Sequence, residues 1–196
     1  MPCHQPVPNL RCQDRIAAPR LGPCARAGAL IGSDARVISV VGFPHGCDRP
    51  EVKARAAALA VAEGAREIDT VLNFGALRSG DDALVAADVE AVVRAVPGIP
   101  VKVILETSAL DDGQKRRACR LAVAAGAAFV KTSTGSHPTG GATIADVRLL
   151  RAEVGASVGV KTSGGIRTLA DALAMLEAGA SRIGTSASAA ILAALP

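Results

Sequence analysis

Five lysines stand out in a chain whose other 17 basic residues are all arginines. Three of them lie inside or at the ends of apolar runs: V-Lys102-V, V-Lys131-T and V-Lys161-T. An ammonium in a buried strand is strongly disfavoured unless it is paired, so three such placements point to a purpose. A neutral lysine amine adds to a carbonyl and forms an imine that then acts as an electron sink. This needs a depressed pKa, which desolvation or a neighbouring ammonium supplies. Asp69 and Glu106 are acidic counterparts in comparable positions. Lys102 and Glu106 are expected to share a strand face and point into one interior, where the alternative to a chemical role is a structural ion pair. Lys53 and Lys115 fall in helical stretches and read as solvated surface residues.

Two glycine-containing loops follow the later lysine runs. Ser163-Gly164-Gly165 comes directly after the Lys161 strand, and Gly184-Thr185-Ser186 ends the next one. Glycines let backbone N–H groups approach a phosphate, and a helix N-terminus adds a favourable dipole. Together the loops read as a phosphate site, against the alternative of two ordinary tight turns.

The elements that must position these residues alternate regularly. Short β-rich runs occur at Val37–Val41, Glu67–Leu72, Val101–Leu105, Ala128–Thr132, Val158–Thr162 and Arg182–Thr185, their starts 24 to 34 residues apart. Ala-rich helical stretches lie between them. Pro50 and Asp111 mark helix starts, as do the pairs Thr143 with Asp146 and Thr168 with Asp171. Gly64, Gly126 and Gly179, each followed by Ala, mark helix ends. Six repeated βα units predict an α/β fold on a parallel sheet, either open and doubly wound or closed into a barrel. In either form the carboxyl ends of the strands are the ligand face.

Residues 1–36 differ from the rest. They hold five of the 11 prolines, three of the five cysteines and a charge balance of +3, without a sustained period. They are expected to form an atypical, mostly poorly ordered segment ahead of a barrel domain over 37–196. The remaining residues are nearly neutral, with 17 basic and 16 acidic side chains. Charge therefore gives no case for nucleic acid, and three Phe with no Tyr or Trp leave no stacking platform for bases. No apolar run is long enough to span a membrane, and the cytoplasm is the expected compartment. The cysteines lack the spacing of a zinc site or a disulfide framework. His45 reads as a loop residue satisfying backbone groups, whereas His137 either lines a pocket or faces solvent.

The runs VVGFPHG (Val40–Gly46), EIDTVLNFGAL (Glu67–Leu77), VKVILETSAL (Val101–Leu110), FVKTSTG (Phe129–Gly135), VGVKTSGGIRT (Val158–Thr168) and RIGTS (Arg182–Ser186) resemble the deoxyribose-phosphate aldolases. The likeness covers about four-fifths of the chain, in order. The resemblance implies a (β/α)8 TIM barrel and a class I aldolase that uses no metal and no cofactor. The implied substrate is a phosphorylated sugar, 2-deoxy-D-ribose 5-phosphate, cleaved reversibly to D-glyceraldehyde 3-phosphate and acetaldehyde. It also implies that Lys131 is the Schiff-base nucleophile, with Lys161 as second lysine and Asp69 in the proton relay. Gly164, Gly165, Gly184 and Ser186 fall where the family holds the phosphate, and Lys102 falls at a structural or electrostatic position. Barrels of this kind are often homodimers. The family's two opening strands are not recognisable in residues 1–36, leaving six βα units where the barrel has eight. The alternative within the same family is a catalytically inactive, incomplete barrel.

Overall fold

The computed structural model describes residues 17–18 and 36–195. Seven strands form one sheet in chain order, every neighbouring pair parallel. They are β1 (Ala17–Ala18), β2 (Ile38–Val41), β3 (Glu67–Val71), β4 (Val101–Ile104), β5 (Phe129–Lys131), β6 (Gly159–Ser163) and β7 (Arg182–Gly184). Six coincide with the expected β-rich runs to within a residue at each end. The seventh, β1, lies in the leading segment and pairs Ala17 with Ile38 and Ala18 with Ser39. Two residues carry no alternation that a sequence pattern could reveal. Otherwise, of residues 1–36, only Arg36 is described.

The helices are α1 (Pro50–Ala62), α2 (Phe74–Arg78), α3 (Asp82–Ala95), α4 (Asp112–Ala124), α5 (Ile144–Val154), α6 (Leu169–Glu177) and α7 (Ser188–Ala193). Pro50 occupies the first turn of α1. Asp111 and Thr168 form full capping boxes with Gln114 and Asp171. Thr143 accepts from the Asp146 N–H, but Asp146 turns its carboxylate to Lys115 instead of closing a box. Gly64, Gly126 and Gly179 take the positive φ that ends a helix.

Side-chain contacts show that the sheet is curved. Strands β3 and β7 lie four spacings apart in the sheet, about 19 Å if flat. Yet Arg182 of β7 reaches Glu67 of β3 at 2.6 Å. Only a sheet curling towards a barrel brings those residues together. Among the described residues, β1 and β7 are its two edges. Apolar residues from strands and helices fill the layer outside the sheet in two clusters. One is built around Val103, Leu105, Val130, Leu150 and Val160, the other around Val41, Ala57, Ala60 and Ile68. The inner face carries the charges.

Two helical lysines differ from their expected exposure. Lys53 is fully buried, donating to Asp88 at 2.6 Å and to the Val71 carbonyl at 2.9 Å. It shares the buried face of α1 with Ala57 and Ala60, whose small side chains leave room for it. Its stem passes Gly42, where a Cβ would come within 2.7 Å. Lys115 is also largely covered, paired with Asp146 at 2.7 Å and Asp112 at 3.0 Å. Both are lysines whose stems pack while a carboxylate on a neighbouring element meets the charge.

Candidate active site

The period-2 alternation of β3 puts Glu67 and Asp69 on one face, and the interior receives Lys102, Lys131 and Lys161 from β4, β5 and β6. Parallel register places Asp69 beside Lys102 and Lys131 beside Lys161. Asp69 is the centre. Its Oδ1 accepts from Lys102 at 2.8 Å, and its Oδ2 accepts from both Lys131 and Lys161 at 2.9 Å. All three lysine side chains are mostly or fully buried, with Lys131 and Lys161 slightly open at the strand ends.

The electrostatics follow from this crowding. Burial works to raise the Asp69 carboxyl, but the charges of Lys131, Lys161 and Lys102 outweigh it and hold the group well below the usual carboxylate range. Lys161 moves the opposite way from its ordinary value. Desolvation, with the neighbouring charges of Lys131 and Lys102, overcomes the pull of Asp69 and lowers it to about 8. Near neutral pH this amine is close to exchanging its proton.

Lys102 does not meet Glu106, as strand alternation predicted. It pairs with Glu67 at 2.7 Å as well as with Asp69. The reason is local: β4 ends at Ile104, and Glu106 has a left-handed backbone, φ 56°. Alternation no longer applies there. Buried Glu106 instead accepts from the Thr134 N–H at 3.2 Å and from its hydroxyl at 2.5 Å. That fastens the loop following Lys131. Glu67 and Arg182 were not singled out from sequence. An acidic residue two positions before Asp69 on a fully buried strand was the available signal for Glu67.

The glycine loops come together as adjacency of β6 and β7 requires. Ser163 pairs in register with Gly184, so Gly164-Gly165 and Thr185-Ser186 leave neighbouring strand ends side by side. Gly164, at φ 89°, packs against Gly141 of the β5–α5 loop, where a Cβ on Gly141 would lie 2.4 Å from the Gly164 oxygen. A Cβ on Gly165 would meet nothing within 4 Å, and Ser186 is exposed. His45 is exposed, and His137 is half-buried with its ring edge-on to Phe74. Among the described residues no group of three or more His, Cys, Asp or Glu is placed to hold a metal ion. No helix among them is long and apolar enough to cross a membrane.

Residues 20–194 match the family model of the DeoC/LacD family aldolases. The chain belongs to that family. It is 57% identical over 166 residues to the deoxyribose-phosphate aldolase of Streptococcus uberis, covering 85% of this chain and 75% of that relative. Among solved structures, it resembles a putative deoxyribose-phosphate aldolase from Coccidioides immitis with TM-score 0.87 and 37% identity, over 91% of this chain and 72% of that one. The tetrameric deoxyribose phosphate aldolase from Aeropyrum pernix is similar at TM-score 0.77 and 34% identity, over 87% and 72%. Membership of this family thus agrees with the likeness read from the lysine and glycine runs, and the fold neighbours are barrels of the expected kind.

Proposed function

We propose that this chain is a Schiff-base aldolase that reversibly cleaves 2-deoxy-D-ribose 5-phosphate to D-glyceraldehyde 3-phosphate and acetaldehyde. The observation that carries this reading is the sharing of one carboxylate oxygen, Oδ2 of Asp69, by the side chains of Lys131 and Lys161. Such a pair offers an amine for covalent chemistry and a second amine to move protons, with a buried carboxylate between them.

In this reading the neutral Nζ of Lys131 attacks C1 of the open-chain sugar, and loss of water gives a protonated imine. Removal of the proton on the C3 hydroxyl makes C3 a carbonyl. The electron pair of the breaking C2–C3 bond flows into the imine and leaves an enamine on Lys131. D-glyceraldehyde 3-phosphate departs, C2 takes a proton, and hydrolysis releases acetaldehyde and the free amine. Lys161, with its pKa lowered to about 8, suits the proton transfers, working with Asp69 and a water. Backbone N–H groups around Gly164, Gly165, Gly184 and Ser186 receive the phosphate on the ligand face of β6 and β7. Residues 37–196 carry this machinery in a barrel domain behind the leading segment. The partner is a small phosphorylated sugar, the compartment is the cytoplasm, and the assembly is a homodimer.

The test is borohydride reduction in the presence of acetaldehyde, followed by peptide mass spectrometry. A two-carbon adduct on Lys131 that is absent from Lys131→Met supports the reading. No selective adduct in folded protein overturns it, and an adduct confined to Lys161 reverses the two lysine roles.

A further inference from the structure

Below the three lysines, the inner face of the sheet carries a second layer of interacting residues. Gly159 of β6 pairs in register with Phe129 of β5, and a Cβ there would lie 2.1 Å from the Phe129 ring. The missing side chain leaves that ring room to lie across the interior. The guanidinium of Arg182 sits 4.4 Å above the ring centroid, within the range of a cation–π contact. From there it donates to Oε2 of Glu67 at 2.6 Å. The same Glu67 oxygen lies 2.7 Å from Lys102, which in turn donates to Oδ1 of Asp69. A continuous chain of charge contacts therefore runs from β7 under the site to β3 and up into Asp69.

We propose that Glu67 and Arg182 are positioning residues for the reaction: they hold Lys102, and through it Asp69, so that Oδ2 of Asp69 stays turned to both Lys131 and Lys161. Glu67 acts through Lys102, which it meets at 2.7 Å. Without it, Lys102 has Asp69 as its remaining carboxylate and draws that group towards itself. Among the described residues, the charges facing this interior are Glu67 and Asp69 from β3, Lys102 from β4, Lys131 from β5, Lys161 from β6 and Arg182 from β7. Of these described groups, four are cations and two are anions when all are ionised. Each charge removed from the lower layer shifts the proton affinity of the lysines above it, with a sign set by the charge lost.

The inference rests on the aldolase reading, and one control separates their failures. If wild-type protein forms no trapped imine, the aldolase reading falls and takes this one with it. With that imine formed, the measurement is the pH profile of kcat/KM, which reports ionisations of the free enzyme. Glu67→Gln is expected to move the acid limb to lower pH, and Arg182→Gln to higher pH. The double variant returns it towards the wild-type position. In both single variants kcat falls about 10- to 100-fold, as expected of a lost supporting contact, while KM changes far less. Arg182→Lys keeps the charge but not the planar stacking, so it lowers kcat with the limb unmoved. It replaces Arg182→Gln if that variant shows no cooperative melt by circular dichroism. A limb unmoved in every charge-removing single variant that folds, or an unchanged kcat, overturns the proposal and leaves a purely structural ion pair.

Discussion

Lys131 and Lys161 stand opposite one another in the register of β5 and β6, and both donate to the same oxygen of Asp69. Two ammonium groups on one acceptor repel each other, and the carboxylate between them is what makes the arrangement tolerable. The site's chemistry and its cost in stability therefore share one origin, from which the first two predictions are drawn.

Asp69→Asn keeps the shape of the side chain and removes its charge, leaving Lys102, Lys131 and Lys161 crowded without their common anion. Removing one partner from a buried ionic group typically costs about 3–5 kcal/mol. The expected result is a lower melting midpoint together with a loss of turnover of roughly 10²–10⁴-fold. Thermal denaturation followed by circular dichroism and a coupled aldehyde assay read the two effects separately. Equal stability with only activity lost would show that the lysines shed their protons rather than strain the fold.

Lys161 has the opposite effect on stability. Its pKa falls from an ordinary 10.5 to about 8 in the folded chain, so the folded state binds this proton less tightly than the unfolded state. Below pH 8 both states carry the proton and the fold bears the whole penalty, roughly 3 kcal/mol at about 1.4 per pH unit. As pH rises from about 8 towards 10.5 the penalty is relieved, so this group contributes a rise in stability with pH. Lys161→Met should abolish turnover, raise the midpoint at pH 7 and flatten that alkaline rise. Urea denaturation across this pH range checks the sign.

The Lys53–Asp88 pair predicts a stability effect away from the reaction. Lys53→Met leaves a buried carboxylate without its cation, and Asp88→Asn leaves a buried ammonium without its anion. Each is expected to cost about 3–5 kcal/mol, whereas the double apolar replacement Lys53→Met/Asp88→Leu recovers most of the loss. The double-mutant cycle is read from urea midpoints. Additive single effects would mean that the two groups do not depend on each other.

Gly159→Ala tests the packing beneath the site. The added methyl collides with the Phe129 ring, and the ring must shift from under Arg182. Overpacking of this kind costs about 1–3 kcal/mol. A lower melting midpoint is expected, and Phe129→Leu in the same chain should restore part of it by opening the space. A midpoint unchanged by Gly159→Ala would show that the ring has another place to go.

The two cysteines among the described residues should differ in reactivity. Cys47 is exposed, while Cys119 is buried, its thiol pushed up to about 12 chiefly by desolvation. Brief iodoacetamide treatment of native protein should alkylate Cys47 and spare Cys119 in peptide maps, with both modified after denaturation. Rapid labelling of native Cys119 would mean that α4 opens readily.

The order of elements was legible in the sequence because buried parallel strands are short apolar runs and their helices carry local start and stop signals. Lys131, Lys161 and Asp69 could be singled out because a charged residue in such a run is conspicuous by type alone. The choice of partners was not legible. Whether Lys102 meets Glu106 or Glu67 depends on where β4 ends and on one left-handed residue. Lys53 could not be told from a surface lysine, since its carboxylate lies 35 positions away on α3. Arg182 and Glu67, 115 positions apart, meet only because the sheet curls. Local sequence sets periodicity and chemistry within a few residues. Closure of the sheet brings distant strands to one interior, and that curvature, a property of all the strands together, decides which charges share a contact.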